Sequence, residues 1–481
     1  MNGSIEGRSA PHNPSPGDEH PGAILAGNTQ TASTGGSSRS GIICFCANAV
    51  LITALLPYMS PIVLPDMDVQ LMSLGISTAI LFGLLLIKPG MFSFQKEDLL
   101  ILCMGLLSLI YVSPDIAFDD LPAATRACGQ IILAFPIYYA VRNLYRYMSP
   151  RVFLAVIALY CAALVLQVWL PVVYKSTFAH MLSDTRWAVD EGRGPNGLCT
   201  EPSMMGNICT LFIVSLYFFH REYWKTNRKA ALFIVAAACG MLIVTKSGTG
   251  VVLALVVAAT ALFSSKLSKI AKVATLAASI LALVSLGPLL GSSESRGASV
   301  LSGIAVNPFF ILEEYSFADR LLGIYVGLYQ IPDEPFGSFD VRIDPEATNS
   351  ALNGDVAVHL WPDPSFRSLL IDLRSLRYNN HGTGALVERM GIPGVLILAT
   401  FVLLPIGFPG KWVVRVFLVG MLLNASIFIS TLWFILGCCV EIRRTEQCDP
   451  QKISSGSIHA LCSNIMHMAC TGNPNAEGIS T

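Results

Sequence analysis

Arg193, Glu201, Arg320 and His381 are the side chains whose types and placement could do chemistry. All four lie in polar stretches between apolar runs. A guanidinium keeps its charge and presents a planar fork that grips phosphate oxygens at two points. Arg193 and Arg320 therefore suit a diphosphate, whose negative charge grows as a bond to it breaks. Glu201 and His381 are suited to taking a proton from a hydroxyl. Each also has a plainer reading. Glu201-Pro202 fits the opening of a helix, because Pro is tolerated in the first turn and an acid complements the dipole. Arginines beside apolar runs commonly anchor headgroups. A histidine in a loop needs no role at all.

The elements that must hold these residues are apolar runs. They fall at 42–56, 69–87, 99–112, 128–141, 152–173, 204–219, 230–244, 250–263, 273–290, 385–406 and 413–440. Spanning a bilayer takes roughly 17–25 such residues, so several runs must recruit their flanks. The last is long enough to be two short helices meeting near Asn424–Ser430. The expected fold is all-α: a polytopic transmembrane helix bundle of about 11–12 spans with one large extracytoplasmic loop. The chain is 53% hydrophobic and 13% charged. A soluble domain carries about 25% charge, so that class is excluded. The formal net charge of −1 offers no field for nucleic acid.

Basic residues sort the loops into two sets. One set carries Lys88 and Lys96; Arg142, Arg146 and Arg151; Arg221, Lys225, Arg228 and Lys229; Lys266, Lys269 and Lys272; Lys411 and Arg415. The alternate loops are poor in cations: 58–68 has none, and 114–126 has one Arg beside Asp115, Asp119 and Asp120. The positive-inside rule then places the N-terminus in the cytoplasm, and Arg443 and Arg444 favour an inside C-terminus. Residues 1–40 are rich in Pro, Gly and Ser, unlike a signal peptide, and are expected to be a disordered cytoplasmic tail. Helices fill 41–290, interrupted by an outside loop at 174–203. A large outside loop spans 291–382, two or more helices follow in 383–440, and 441–481 is a second tail. Within the large loop, Phe317, Leu321, Ile324, Tyr325, Leu328 and Tyr329 recur at helical spacing, predicting an amphipathic helix on the outer membrane surface. Of 13 cysteines, only Cys199 falls outside, so exported disulfides are not expected.

The stretch Arg193-Gly194-Pro195-Asn196-Gly197-Leu198-Cys199-Thr200-Glu201-Pro202-Ser203 resembles the "R-x-x-G-L-x-x-E-P-S" helix opening of the O-antigen polymerase and ligase superfamily. Three further pieces follow in that family's order. They are the turn Thr245-Lys246-Ser247-Gly248-Thr249-Gly250, the pair Asp319-Arg320 ahead of Pro335-Phe336-Gly337, and His381 ahead of Glu388-Arg389-Met390-Gly391-Ile392-Pro393-Gly394. Two positions depart from the pattern: Gly382 follows His381 where ligases carry a polar residue, and Gly248 replaces a frequent Arg. The resemblance implies a metal-independent glycosyltransferase that joins oligosaccharide units carried on undecaprenyl pyrophosphate, outside a bacterial plasma membrane. It implies that Arg193, Arg320 and Lys246 bind the pyrophosphate, while His381 or Glu201 manages the acceptor proton. The partners would be a lipid-linked donor, a glycan acceptor, membrane lipid and other polysaccharide-assembly proteins, with no cofactor. The departure at Gly382 favours polymerase over ligase.

Competing readings remain. A transporter or flippase of a lipid-linked sugar needs ionisable groups at mid-membrane, where this sequence has few, and no inverted repeat is visible. Asp66-Met67-Asp68 has the D-x-D form of metal-dependent transferases, though Asp68 equally caps the helix that follows. His459, Cys462, His467 and Cys470 form a short zinc-like pattern. The Gly391 and Gly394 pair suits close helix packing.

Overall fold

The computed structural model describes residues 37–63, 72–118, 134–182, 194–277 apart from 266 and 276, 302–303, 307, 310–337 apart from 314, 345–375, 383–404, 410–424 and 429–447. Arg193, His381, Asp66, Asp68 and the histidines and cysteines of the C-terminal tail lie outside these residues, as does the N-terminal tail to residue 36. Residues 1–42 and 43–481 separate as two units, and every contact below lies within the second.

Among the described residues every regular element is helical, with one isolated antiparallel bridge between Met59 and Leu182. The helices are α1 (Ser37–Leu55), α2 (Met72–Ile87), α3 (Lys96–Phe118), α4 (134–144), α5 (Pro150–Trp169), α6 (Pro171–Thr177) and α7 (Pro202–Phe218). After α8 (Arg221–Thr226) come α9 (Arg228–Thr245), α10 (Gly248–Ser264), α11 (Tyr315–Gln330), α12 (Pro345–Asn353), α13 (Asp355–Leu360) and α14 (Pro364–Ser375). The chain continues through α15 (Thr383–Met390), α16 (Ile392–Leu403), α17 (Lys411–Asn424) and α18 (Ser430–Gln447). Prolines open α5, α6 and α7, where a missing N–H costs nothing. Ser149 and Ser247 cap α5 and α10 through their hydroxyls.

Two helices, α5 and α9, are long and apolar enough to cross a membrane; α2, α7, α10, α16 and the stretch Gly41–Leu55 are shorter apolar helices. Only 39% of the apolar window of α5 and 28% of that of α9 is buried within the protein. A core helix of a soluble domain would be mostly covered. Here Val165, Val168, Trp169, Leu232, Phe233 and Ile243 stay exposed.

Side-chain contacts fix the helix directions. The Ser149 amide donates to Asn48 Oδ1 at 2.8 Å, and the Tyr160 hydroxyl donates to the Leu55 carbonyl at 2.8 Å, so α1 and α5 run parallel. The hydroxyls of Ser430 and Thr431 donate to the Ala54 carbonyl at 3.0 and 3.1 Å. At the other end of α18, Glu441 pairs with Arg146 at 3.2 Å, so α18 runs against both. Tyr145 donates to the Phe218 carbonyl at the end of α7, and Tyr217 lies against Gly410, just before α17. The cations of the 142–151, 221–229, 411–415 and 443–444 segments thus share one end, the basic end.

One cation there is not a loop residue. Arg142 is fully buried and pairs with the equally buried Asp98 at 3.0 Å. Tyr138 donates to Asp98 at 3.0 Å, the Gln95 amide donates at 2.7 Å, and Arg142 also donates to the Ser93 carbonyl. Two further pairs at this end are less deeply buried: Arg443 with Glu97 at 3.9 Å and Arg444 with Glu441 at 3.5 Å.

His220 turns the chain from α7 to α8 with φ 46°, and its ring stacks on Tyr145 at 5.0 Å. Burial holds its imidazole below the ordinary value. As pH falls, the unfolded chain therefore takes up this proton before the folded protein does. Stability from the neutral ring is full above about pH 6.5 and is lost as pH drops through the lower folded-state value. Asn also tolerates positive φ. His220→Asn is expected to flatten the fall in thermal midpoint between about pH 7 and about pH 5, measured by thermal unfolding of the purified protein.

Two long apolar runs are divided. Run 413–440 is α17 and α18, broken between Asn424 and Ser430, the second option left by the sequence. Run 385–406 was expected as a single span, but it breaks at Gly391 into α15 and α16. Gly391 has φ 55° and ψ −128°, which side-chain-bearing residues rarely adopt, and Pro393 follows in the first turn of α16. The Ile392 amide donates to the Pro335 carbonyl at 2.9 Å, fixing the break to the large loop.

The large loop holds α11 to α14. Ala318, Leu322 and Val326 of α11 bury against Ala351, Leu352, Ala357, Trp361 and Leu370, a second apolar core separate from the main one. Trp361 donates from its indole to the Leu312 carbonyl at 2.8 Å. The expected amphipathic helix is present, but its most buried stripe is 318, 322 and 326, turned toward these helices. Leu328 and Tyr329 remain exposed.

Candidate functional site

The segment 194–201 is built into the end opposite the cations. Asn196 is its centre: it donates to the carbonyls of Cys199 at 2.6 Å and Thr200 at 3.3 Å, while Gln167 of α5 donates to its Oδ1 at 2.6 Å. Gln167 Oε1 accepts from the Gly197 amide at 2.8 Å, and the Tyr174 hydroxyl donates to the Gly197 carbonyl. Gly197 needs its φ of 59° for this turn. Gln167 and Tyr174 are positioning residues that motif reasoning passed over. The available signal was a lone amide, Gln167, late in an otherwise apolar run. Burial pushes the Cys199 thiol up, keeping it a protonated packing group.

Glu201 occupies the cap position of α7 without capping it: no side-chain bond reaches a backbone amide there. Its half-buried carboxylate instead accepts from the Ser203 hydroxyl at 3.1 Å. One backbone step past Arg193, a side chain on Gly194 would strike the Thr245 carbonyl, with Lys246 Cβ 3.1 Å away. Lys246 is exposed, with φ 52°, ending α9. Farther along, a Cβ on Gly206 would lie 2.5 Å from the Gly250 Cα, so α7 and α10 cross in near backbone contact. The first sequence piece, with the helix it opens, therefore meets the second at two points.

The third and fourth pieces meet as well. A Cβ on Gly391 would lie 2.8 Å from the Gly337 amide nitrogen, and one on Gly384 would lie 2.7 Å from Gly323 Cα. Gly327 abuts the Glu388 backbone at 2.7 Å by the same measure. Arg320 is half-buried on α11, the helix that packs on α15, and the Glu388 side chain is buried.

Helix directions place both pairs at the same end. α7 leaves Glu201 toward Tyr145 and the basic end, and α16 leaves Gly391 toward Lys411 and that same end. α17 bridges the pairs, packing on α7 and α10 and on α11 and α15. Among the described candidates, Glu201 and Lys246 belong to the first pair and Arg320 to the second. Among the described residues no group of three or more His, Cys, Asp or Glu could hold a metal ion. No protein-family profile, curated protein or solved structure matches the chain.

Proposed function

We propose that the chain is a polytopic membrane glycosyltransferase of the O-antigen polymerase or ligase type, acting at the outer face of a bacterial plasma membrane. The observation that carries this reading is the pairing of the sequence pieces. Gly194 lies on the Thr245-Lys246 turn, and Gly391 lies on Pro335 and Gly337, although 51 and 56 positions separate the partners in the chain. Both pairs lie at the end away from the basic collar, where a positive-inside protein presents its outer surface. The exposed apolar faces of α5 and α9 favour a lipid surrounding over water.

In this reading an acceptor hydroxyl oxygen attacks the anomeric carbon of the donor sugar. The bond from that carbon to the carrier diphosphate breaks, and the hydroxyl proton passes to Glu201 or His381. Arg193, Lys246 and Arg320 neutralise the departing diphosphate. Polymerase ranks above ligase because of Gly382.

Arg193→Ala should reduce surface glycans to single repeat units, as deletion of the protein would, in electrophoresis of extracted polysaccharide. Long polymer left on the lipid carrier would indicate a ligase instead. Unchanged glycans in both strains would remove the functional assignment.

A further inference from the structure

α7 holds a polar group that none of its neighbours explains. Asn207 is 1% exposed, and neither its amide nitrogen nor its oxygen has a hydrogen-bond partner in the protein. The nearby buried polar residues of α7 are satisfied: Thr210 donates to the Gly206 carbonyl at 2.9 Å and Ser215 to Phe212 at 2.6 Å. An amide buried without partners destabilises the fold, and an apolar side chain of similar shape would avoid that cost.

Its position gives the orphaned amide a meaning. Ser203, Asn207, Thr210, Val214 and Tyr217 recur at helical spacing and form one stripe of α7. Ser203 at the outer end holds the Glu201 carboxylate, and Tyr217 at the basic end touches Gly410 ahead of α17. Asn207 is thus one turn below the Glu201–Ser203 pair, roughly 9 Å along the axis from Glu201. Beside it, Gly206 crosses Gly250, and Ser247 Oγ lies 3.0 Å from where a Gly206 Cβ would be. No charged residue occurs between Pro202 and Phe218. A phosphate brought to this depth would be buried without a cation on α7, an uncompensated charge taken out of water. A neutral group that both donates and accepts would not. A sugar hydroxyl is such a group, and an amide pairs with it in both senses.

We propose that Asn207 is a sugar-binding residue one turn below the Glu201–Ser203 pair, contacting a hydroxyl of the donor sugar while the diphosphate stays above with the cations. This rests on the transferase reading of the same site. Its signature is a trade-off: a residue kept for a ligand at the expense of the fold should, when replaced, raise stability and lower function.

The test is Asn207→Leu, with Asn207→Ala as the variant that adds no bulk, in the full chain. Thermal midpoints would be measured in lipid nanodiscs and surface glycan length in cells, beside Arg193→Ala. The expected result is a raised midpoint for Asn207→Leu and about tenfold less long-chain glycan per molecule of protein for both Asn207 variants. Wild-type glycan length in either variant overturns the assignment. So does a lowered midpoint with glycan falling only as protein is lost, since the amide would then be structural or satisfied by a buried water. If Arg193→Ala shortens the glycan and Asn207→Leu does not, only the sugar contact falls. If neither does, the transferase reading falls with it.

Discussion

Asp98→Ala is expected to cost about 3–5 kcal/mol, the largest stability loss of any single change considered for this chain. The substitution leaves Arg142 fully buried with its charge uncompensated, while Tyr138 and the Gln95 amide lose their acceptor. Arg142 already has two nitrogens, Nε and Nη1, without partners, so Asp98 and the Ser93 carbonyl carry most of its solvation. The same logic predicts a rescue. Asp98→Leu combined with Arg142→Met removes both charges, and replacing a buried pair with apolar groups is often neutral. The check is the midpoint of thermal unfolding for the single and double variants in one lipid composition. A single variant within about 1 kcal/mol of the parent would mean that water or lipid headgroups reach Arg142.

Gly194→Ala is the second large expectation, and it separates function from folding. Its methyl group would run into the Thr245 carbonyl, which belongs to the backbone and cannot swing aside. The segment carrying Arg193 must then lift off the Lys246 turn. A displacement of about 1 Å among groups that position a substrate can cost about 100-fold in rate. The helices are untouched, because Gln167, Asn196 and Tyr174 still hold residues 196–200 to α5 and α6. The expected result is near loss of long-chain glycan, with a thermal midpoint within a few degrees of the parent. Retained chain length would show that the contact of Gly194 with Thr245 is packing alone.

What the sequence disclosed follows from which forces act locally. Apolar runs locate helices because an unpaired backbone is intolerable in an apolar medium, and alternate Lys and Arg clusters separate the two ends. Asn424 and Ser430 marked the division between α17 and α18 for the same local reason: polar groups interrupt the run. The break at Gly391 was not legible. Its cause is a bond from the Ile392 amide to Pro335, 57 positions earlier, which no local pattern discloses. Arg142 was misread as a loop cation because its carboxylate lies on another helix, 44 positions earlier. Around the candidate site, Glu201 and Lys246 stand out in the sequence through their motifs, whereas Gln167 and Tyr174 do not. Their purpose is to hold the Gly197 turn, a demand set by tertiary geometry.

The bonds from Ser430 and Thr431 to Ala54 join positions 376 and 377 apart. At its opposite tip the same helix grips Arg146, and Phe434 packs on Phe218 and Phe219. A ribosome must therefore release 376 more residues before α1 gains its contact with α18, long after α5 can settle beside it. Until then the end of α1 that takes up Ser430 and Thr431 stands open, available to chaperones or to quality-control proteases, and this part of maturation waits on α18.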